Sequence, residues 1–599
     1  MNLLLFVLIA LAGARQAQPP RAPSSIEGVV LKHGTTEPLA NAVVQLNLEI
    51  SDDRSQQVER DSLPDIAPEN LFHRKVLTDS NGRFLFEDVT PGAYRLISTY
   101  EAGGYVPTEY GQRYPTGEGI PFEIVAGQKM AGIQLAMSPT GAISGRVYDR
   151  DGEPVGKAQV LALRPIYKNG HRSLTIVQSV VSDDRGDYRL YWLAPGLYFV
   201  AAKPDAAEFP MNMGMANSVN TPMLHIAPPT RFGTYELGMS PVVHKRKLKN
   251  GDIVEEMYVP VYFPGTVDMS AATAVSVTGG ATASGINIST GVGLIAPKHI
   301  RGRVLDPAGR PVSGAAISAM PRASDPYFAI PHARSESDGS FELTGVASGS
   351  YQIFASIAGE ARTMNGYSEA NVADRDVQLA PIPMTTGFRF SGRFVIDGNV
   401  QPGNSGSVSF PRLGSVVRDP DVGGLFFGIP DFNPTPAADG SFTVDSIPPG
   451  DYRVLLRQMP SDGYIKSMRM GSADVLNDGL HISNNPGAPL EIVIGVNAGR
   501  ISGSVVDTRG AVLSNRTVVL VPDVRFRQRN DLYHVVATNN AGSFQMQGIA
   551  PGDYKLFAWE IVEPGAWQDP EFIQKFENLG QRIRISEGSN ENVQLAVIP

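Results

Sequence analysis

The chain has 599 residues, too many for one hydrophobic core, so several domains are expected. A formal net charge of −9 with no basic stripe argues against nucleic acid as a partner, and the short run His244 to Lys249 reads as a solvated loop. With no cysteine, the folded state must rest on packed cores rather than disulfides, lipidation at a lipobox cysteine is excluded, and 62 glycines with 46 prolines suit short strands joined by many turns.

In chain order, Met1 to Ala12 is an apolar run followed by small residues, the shape of a secretory signal peptide over 1–17, although a positive start is missing. No later apolar stretch has spanning length, so the mature chain is expected to carry no transmembrane segment. An exported, disulfide-free, all-β chain suggests a bacterial envelope: periplasm, outer cell surface or medium. After a Pro-rich joint at 18–23, an opening phrase occurs five times, as Ile26-Glu-Gly-Val, Ile143-Ser-Gly-Arg-Val, Ile300-Arg-Gly-Arg-Val, Phe390-Ser-Gly-Arg-Phe and Ile501-Ser-Gly-Ser-Val. Alternation with a fixed glycine predicts a first strand approached closely by a neighbour. A turn and second strand follow, as in Asp149-Arg-Asp-Gly-Glu-Pro-Val.

The most constant stretch comes next. Gly82, Gly186, Gly339, Gly440 and Gly542 each stand ten residues before Gly92, Gly196, Gly349, Gly450 and Gly552, and Tyr94, Tyr198, Tyr351, Tyr452 and Tyr554 follow two residues later. The first glycine predicts a tight turn feeding a strand, and the second, mostly in Pro-Gly, a β-hairpin between that strand and the next. Alternation in Tyr554-Lys-Leu places each tyrosine toward a core, with its hydroxyl on a backbone partner. A closing phrase such as Ile124-Val-Ala-Gly completes each copy, giving roughly seven strands per copy. The expected architecture is all-β, a tandem array of five small antiparallel Greek-key β-sandwich domains after the signal peptide, at 24–138, 140–297, 298–382, 386–496 and 498–599. An insertion near 204–257 lengthens the second. Brief joints predict a semi-rigid string, roughly 170 Å long if linear.

Together the phrases Asp-x-x-Gly-x-Pro-Val, Thr-Asp-x-x-Gly-x-Phe and Pro-Gly-x-Tyr resemble the carboxypeptidase regulatory-like domain, a prealbumin-like sandwich, over nearly the whole chain after the signal. Copy four departs at Asp397-Gly-Asn-Val-Gln-Pro, and copy three has Ser348 for proline. The resemblance implies a carbohydrate-binding-like fold that serves as an accessory. It implies no activity.

Site chemistry is sparse. No histidine heads the His-x-x-Glu spacing of a zinc carboxypeptidase, and Ser405 in Gly403-Asn-Ser-Gly406 has no base nearby. Asp183 to Asp187 reads as a polar turn rather than a calcium loop, and Lys32 stands where an isopeptide staple is not expected. No cofactor and no metal are therefore expected. The remaining candidates are loop aromatics: Tyr105, Tyr110 and Tyr114 beside Tyr100, then Tyr258 and Tyr262, then Trp559 and Trp567. Flat rings stack on sugars, but pinning a long loop to its own sandwich is the better supported reading of the sequence alone. The expectation is a non-catalytic binding or spacer protein whose partner is a polysaccharide or another envelope protein. A carbohydrate-binding protein using these loops is one alternative, and a hydrolase with a site in the 204–257 insertion is another.

Overall fold

In the strand Ser543–Ile549 every second side chain through Met546 is buried, and Tyr554, Leu556 and Ala558 do the same in Gly552–Trp559. Such period-two alternation buries one face of each strand and specifies a sheet. A computed structural model describes residues 24–48, 73–204, 241–322, 330–358, 363–398, 410–418 and 434–599, apart from positions 101, 118, 169, 448–449, 458, 461 and 484. The signal peptide, the Pro-rich joint, the Gly403 to Gly406 stretch and 205–240 of the insertion lie outside the described residues.

The chain is all-β, a tandem series of β-sandwiches on one plan. In the fifth, Gly499–Val506 lies between Ser543–Ile549 and Asn590–Ala596, and the facing sheet runs His534–Ala537, Thr517–Pro522, Gly552–Trp559, Gln581–Ile585. The first repeats this with Ser24–Lys32 between Arg83–Val89 and Lys129–Met137, facing His73–Leu77, Val43–Leu48 and Gly92–Thr99. Five main core clusters follow, one to a sandwich, of which that around Ile26, Phe86 and Leu96 is typical. In every sandwich the first strand runs parallel to the closing strand, as with Gly499–Val506 and Asn590–Ala596, and in the second and third that closing strand comes in two short pieces.

The glycine-led turn forms as its residues require. Gly82, Gly186, Gly339, Gly440 and Gly542 all have φ between 70° and 82°, a region that penalises a β-carbon. The expected hairpin does not form. Ser543–Ile549 pairs with Gly499–Val506, whereas Gly552–Trp559 pairs with Thr517–Pro522, so the Pro-Gly link crosses from one sheet to the other as an arch. Alternation directs both strands' apolar sides inward whether they pair or face each other, which is why it does not separate hairpin from arch. The tyrosines are buried at 2–7% exposure, and four hydroxyls donate to the carbonyl four residues back: Tyr94 to Thr90, Tyr198 to Ala194, Tyr351 to Ala347 and Tyr554 to Ala550, at 2.7–2.9 Å. Burial pushes Tyr198 and Tyr351 up to about 12.

A second staple recurs four residues before the turn glycine. The hydroxyls of Thr78, Ser182, Ser335 and Thr538 donate to Leu39, Val155, Val312 and Leu513 at 2.7 Å and accept an amide N–H at 2.9 Å. Each fixes the start of the second strand against the turn.

The basic run is not a loop. His244–Lys247 is an exposed strand paired with Ile253–Tyr258, where Arg246 bridges Glu256 and Lys245 bridges Glu255 at 3.2 Å.

Nor does the array form a linear string. The Tyr167 ring of the second sandwich lies 6.0 Å edge-on to Phe572, on the short helix Pro570–Phe576 of the fifth. Tyr114 of the first donates to Val562 O at 3.2 Å. The last sandwich therefore closes back on the first two.

Candidate binding cleft between the first and fifth sandwiches

The outer face of the strand Gly552–Trp559 is apolar: Phe557 and Trp559 stack with centroids 5.1 Å apart and planes 9° apart. The helix Pro570–Phe576 covers them. It forms because Asp569 caps it, accepting from Phe572 N, with Pro570 in the first turn. Trp559 is consequently 1% exposed and belongs to a satellite core with Trp567 and Ile573. Tyr262, 3% exposed, lies in the equivalent cluster of the second sandwich with Leu161 and Leu163. Both rings are spent on packing. Tyr105 packs edge-on against Tyr100 at 5.4 Å and Tyr110 against Phe122 at 5.3 Å, which pins their loop to its own sandwich. Tyr258 lies apart from these, its ring 6.3 Å from that of His244.

Tyr110, while packed on Phe122, also reaches the fifth sandwich through its hydroxyl, and so does Tyr114. Asn540 Nδ2 donates to Tyr110 Oη at 3.2 Å, and Arg113 stands 3.4 Å from Glu560, which Arg516 also approaches at 3.4 Å. Burial, with the Arg113 guanidinium, pushes Arg516 below the ordinary arginine range. Between these contacts lies a cleft of about 1140 Å³. One wall is made by Arg113, Tyr114 and Gly119 to Glu123, ending in the edge strand Phe122–Ile124. The other is the edge strand His534–Ala537, the turn through Asn540 and the loop from Glu560 to Trp567. Tyr114 and Trp567 are the two predicted aromatics that line it. The amides Gln128, Asn515 and Gln545, which also line it, carry no pattern in the sequence that singles them out.

Among the described residues no group of three or more His, Asp or Glu is placed to hold a metal ion. Asp183 Oδ1 accepts from the amides of Arg185 at 2.9 Å and Asp187 at 2.8 Å, as a turn residue does. Lys32 forms an exposed ion pair with Glu37 at 2.6 Å. No helix among the described residues is long and apolar enough to cross a membrane.

Residues 299–380 match the family model of the carboxypeptidase regulatory-like domain. No curated protein matches the chain. Among solved structures it is similar to GBS52, the minor pilin of Streptococcus agalactiae, at 13% identity over 45% of this chain and 95% of that one, with a TM-score of 0.21. It is also similar to the Bacillus anthracis TIE protein, at 10% identity over 98% of this chain and 75% of that one, TM-score 0.14. BcpA, the major pilin subunit of Bacillus cereus, shows 11% identity over 60% of this chain and 99% of that one, TM-score 0.14.

Proposed function

We propose that this chain is an exported, non-catalytic, multi-domain binding or spacer protein of the bacterial cell envelope, with sandwiches at 24–138, 140–297, 298–382, 386–496 and 498–599. The observation that carries the reading is the closure of the array: loops 448 residues apart meet through Tyr114 and Val562 and enclose a cleft that neither sandwich has alone. A repeated scaffold that converges distant loops on one concavity is suited to holding a partner, since binding groups sit on loops positioned by rigid cores. The regulatory-like domain at 299–380 supports an accessory rather than a catalytic role, and the apolar start Met1 to Ala12 supports export.

Fractionation of the native host tests this. The expected result is a protein lacking residues 1–17 in the periplasm, on the outer surface or in the medium, recovered with a bound partner. A full-length protein with intact Met1 in the cytoplasm would overturn it.

A further inference from the structure

We infer that the cleft between the first and fifth sandwiches binds a neutral, hydroxyl-rich ligand, an oligosaccharide. The inference rests on the non-catalytic binding reading above and names the ligand class. Charge is the first discriminator. The ionic side chains lining the cleft are two arginines, Arg95 and Arg113, and two glutamates, Glu123 and Glu560. Both arginines already face carboxylates at 3.4 Å, Arg95 that of Glu109 and Arg113 that of Glu560. A balanced lining focuses no field, so neither an anionic nor a cationic polymer is favoured.

The second discriminator is an orphan donor. Asn515 lines the cleft, and its Nδ2 is buried with no hydrogen-bond partner. The backbone does not explain it. Asn515 has φ 51° and donates its N–H to Thr538 O at 2.8 Å, and the matching positions Asn41, Lys157 and Gly314 adopt φ 60°, 60° and 77° with the corresponding bond to Thr78, Ser182 and Ser335. Asparagine and glycine suit a left-handed backbone and lysine meets it too, so the backbone asks for no bond from the carboxamide Nδ2. A buried donor left unpaired is unfavourable, and a rotation of the half-buried side chain toward the cleft would let an incoming acceptor relieve it. Gln545 brings an exposed amide to the same walls, and Asn539, Asn540 and Gln128 bring three more, each with one end already held: Asn539 Oδ1 by Ser543 N–H, Asn540 Nδ2 on Tyr110 and Gln128 Oε1 by Val125 N–H. Side-chain amides carry donor and acceptor together and so match hydroxyls, which do likewise. Tyr114, half-buried on the cleft wall, supplies flat apolar surface of the kind that packs on the C–H face of a sugar ring, while Trp567, 9% exposed, contributes only its rim.

An extended peptide is the competing occupant, because two sheet edges border the cleft. Those edges are short, however: His534–Ala537 has four residues and Phe122–Ile124 three, preceded by Pro121, which has no N–H to give. The polar groups gathered here are mainly side-chain amides, and they favour the saccharide.

The test uses the full mature chain on an array of neutral oligosaccharides (glucans, mannans, galactans, xylans and chitin fragments), with polygalacturonate and an extended-peptide library alongside. Titration calorimetry then follows with the tightest neutral binder. Asn515→Gly keeps the left-handed backbone and removes the orphan amide, and Gln545→Ala trims an exposed side chain. Each should weaken binding about tenfold, the effect of losing one well-placed hydrogen bond, with thermal unfolding unchanged. A blank neutral array, binding confined to polygalacturonate or peptide, or affinity unmoved by both substitutions overturns the assignment. Oligosaccharide bound at the cleft but released as shorter fragments would instead overturn the non-catalytic reading and leave the ligand class standing.

Discussion

Replacing Tyr554 by phenylalanine removes one oxygen from the fifth sandwich and tests the tyrosine arch by itself. The hydroxyl is buried, with the residue 4% exposed, and donates to Ala550 O at 2.8 Å across the link between the two sheets. Its loss leaves that carbonyl short of a donor, so Tyr554→Phe should cost about 1 to 1.5 kcal/mol. For a unit of this size that is a fall of roughly 4 to 10 °C in the unfolding midpoint. Tyr554→Ala also removes a ring from the core cluster that holds Leu520 and Ile549 and should cost about 3 to 5 kcal/mol. The native fluorophores make the assay selective within the intact chain. Of three tryptophans, Trp559 and Trp567 lie in the fifth sandwich at 1% and 9% exposure, while Trp192 is already 49% exposed, so denaturant-induced emission shifts report chiefly on the fifth. A Phe variant with an unchanged midpoint would refute the hydrogen bond. An Ala variant within about 0.5 kcal/mol of wild type would refute the inward register of the whole strand.

Gly339→Ala should destabilise the third sandwich by about 2 kcal/mol, because φ is 77° and a β-carbon would stand 2.6 Å from Val304 O; hydrogen exchange should show lost protection there and not in the first sandwich, and uniform protection would contradict it. His299 should make the joint between the second and third sandwiches pH-sensitive. Its Nε2 lies 2.8 Å from Glu255 and its Nδ1 2.7 Å from Glu342, with Asp376, Arg301 and Lys245 completing the cluster. Burial opposes the charged ring, but the two carboxylate bonds prevail and raise its pKa, and only the imidazolium donates on both sides. The stabilisation is therefore full below the unfolded value of about 6.5 and is lost as pH rises through the higher folded value. An NMR titration of His299 giving a value below the ordinary one would disprove this, as would a His299→Gln variant whose joint keeps the wild-type pH profile. Solution scattering should give a largest dimension well short of the roughly 170 Å of a linear string, and a value near that length would refute closure by the fifth sandwich.

How much of this was legible depends on how local the cause is. The turn glycines and the arch tyrosines are dictated within a dozen residues by positive φ and by period two, and they stand where the sequence puts them. Pairing is not local: Phe544 and Tyr554 alternate in the same way in a hairpin or an arch, and only the partners Gly503 and Pro522, across the sandwich, distinguish the two. The staple's hydroxyl is the threonine of the Thr-Asp-x-x-Gly-x-Phe phrase, serine in two copies and Pro436 in the fourth, but its bonds reach 23 to 39 residues back and no local pattern announces them. Trp559 reads as a loop aromatic until the helix Pro570–Phe576 is seen to cover the outer face of its strand. Asn515 and Gln545 gain a shared role only when residues of the first sandwich stand opposite them, and no spacing in the chain encodes that meeting.

The parallel pairing of first and last strands has a mechanical consequence. Because the two run the same way, the chain enters each sandwich at one pole and leaves at the other, so tension along the array pulls these neighbours past each other and loads their ladder in shear. In the fifth sandwich seven residue pairs, Arg500↔Asn590 through Val506↔Ala596, share that load. In the third the last strand is broken into Val377–Gln378 and Ile382–Pro383, each pairing through two residues, and the second sandwich is divided in the same way. Once force has parted the fifth sandwich from the first two, the second and third should be the links that yield first, ahead of the fifth with its seven-pair ladder.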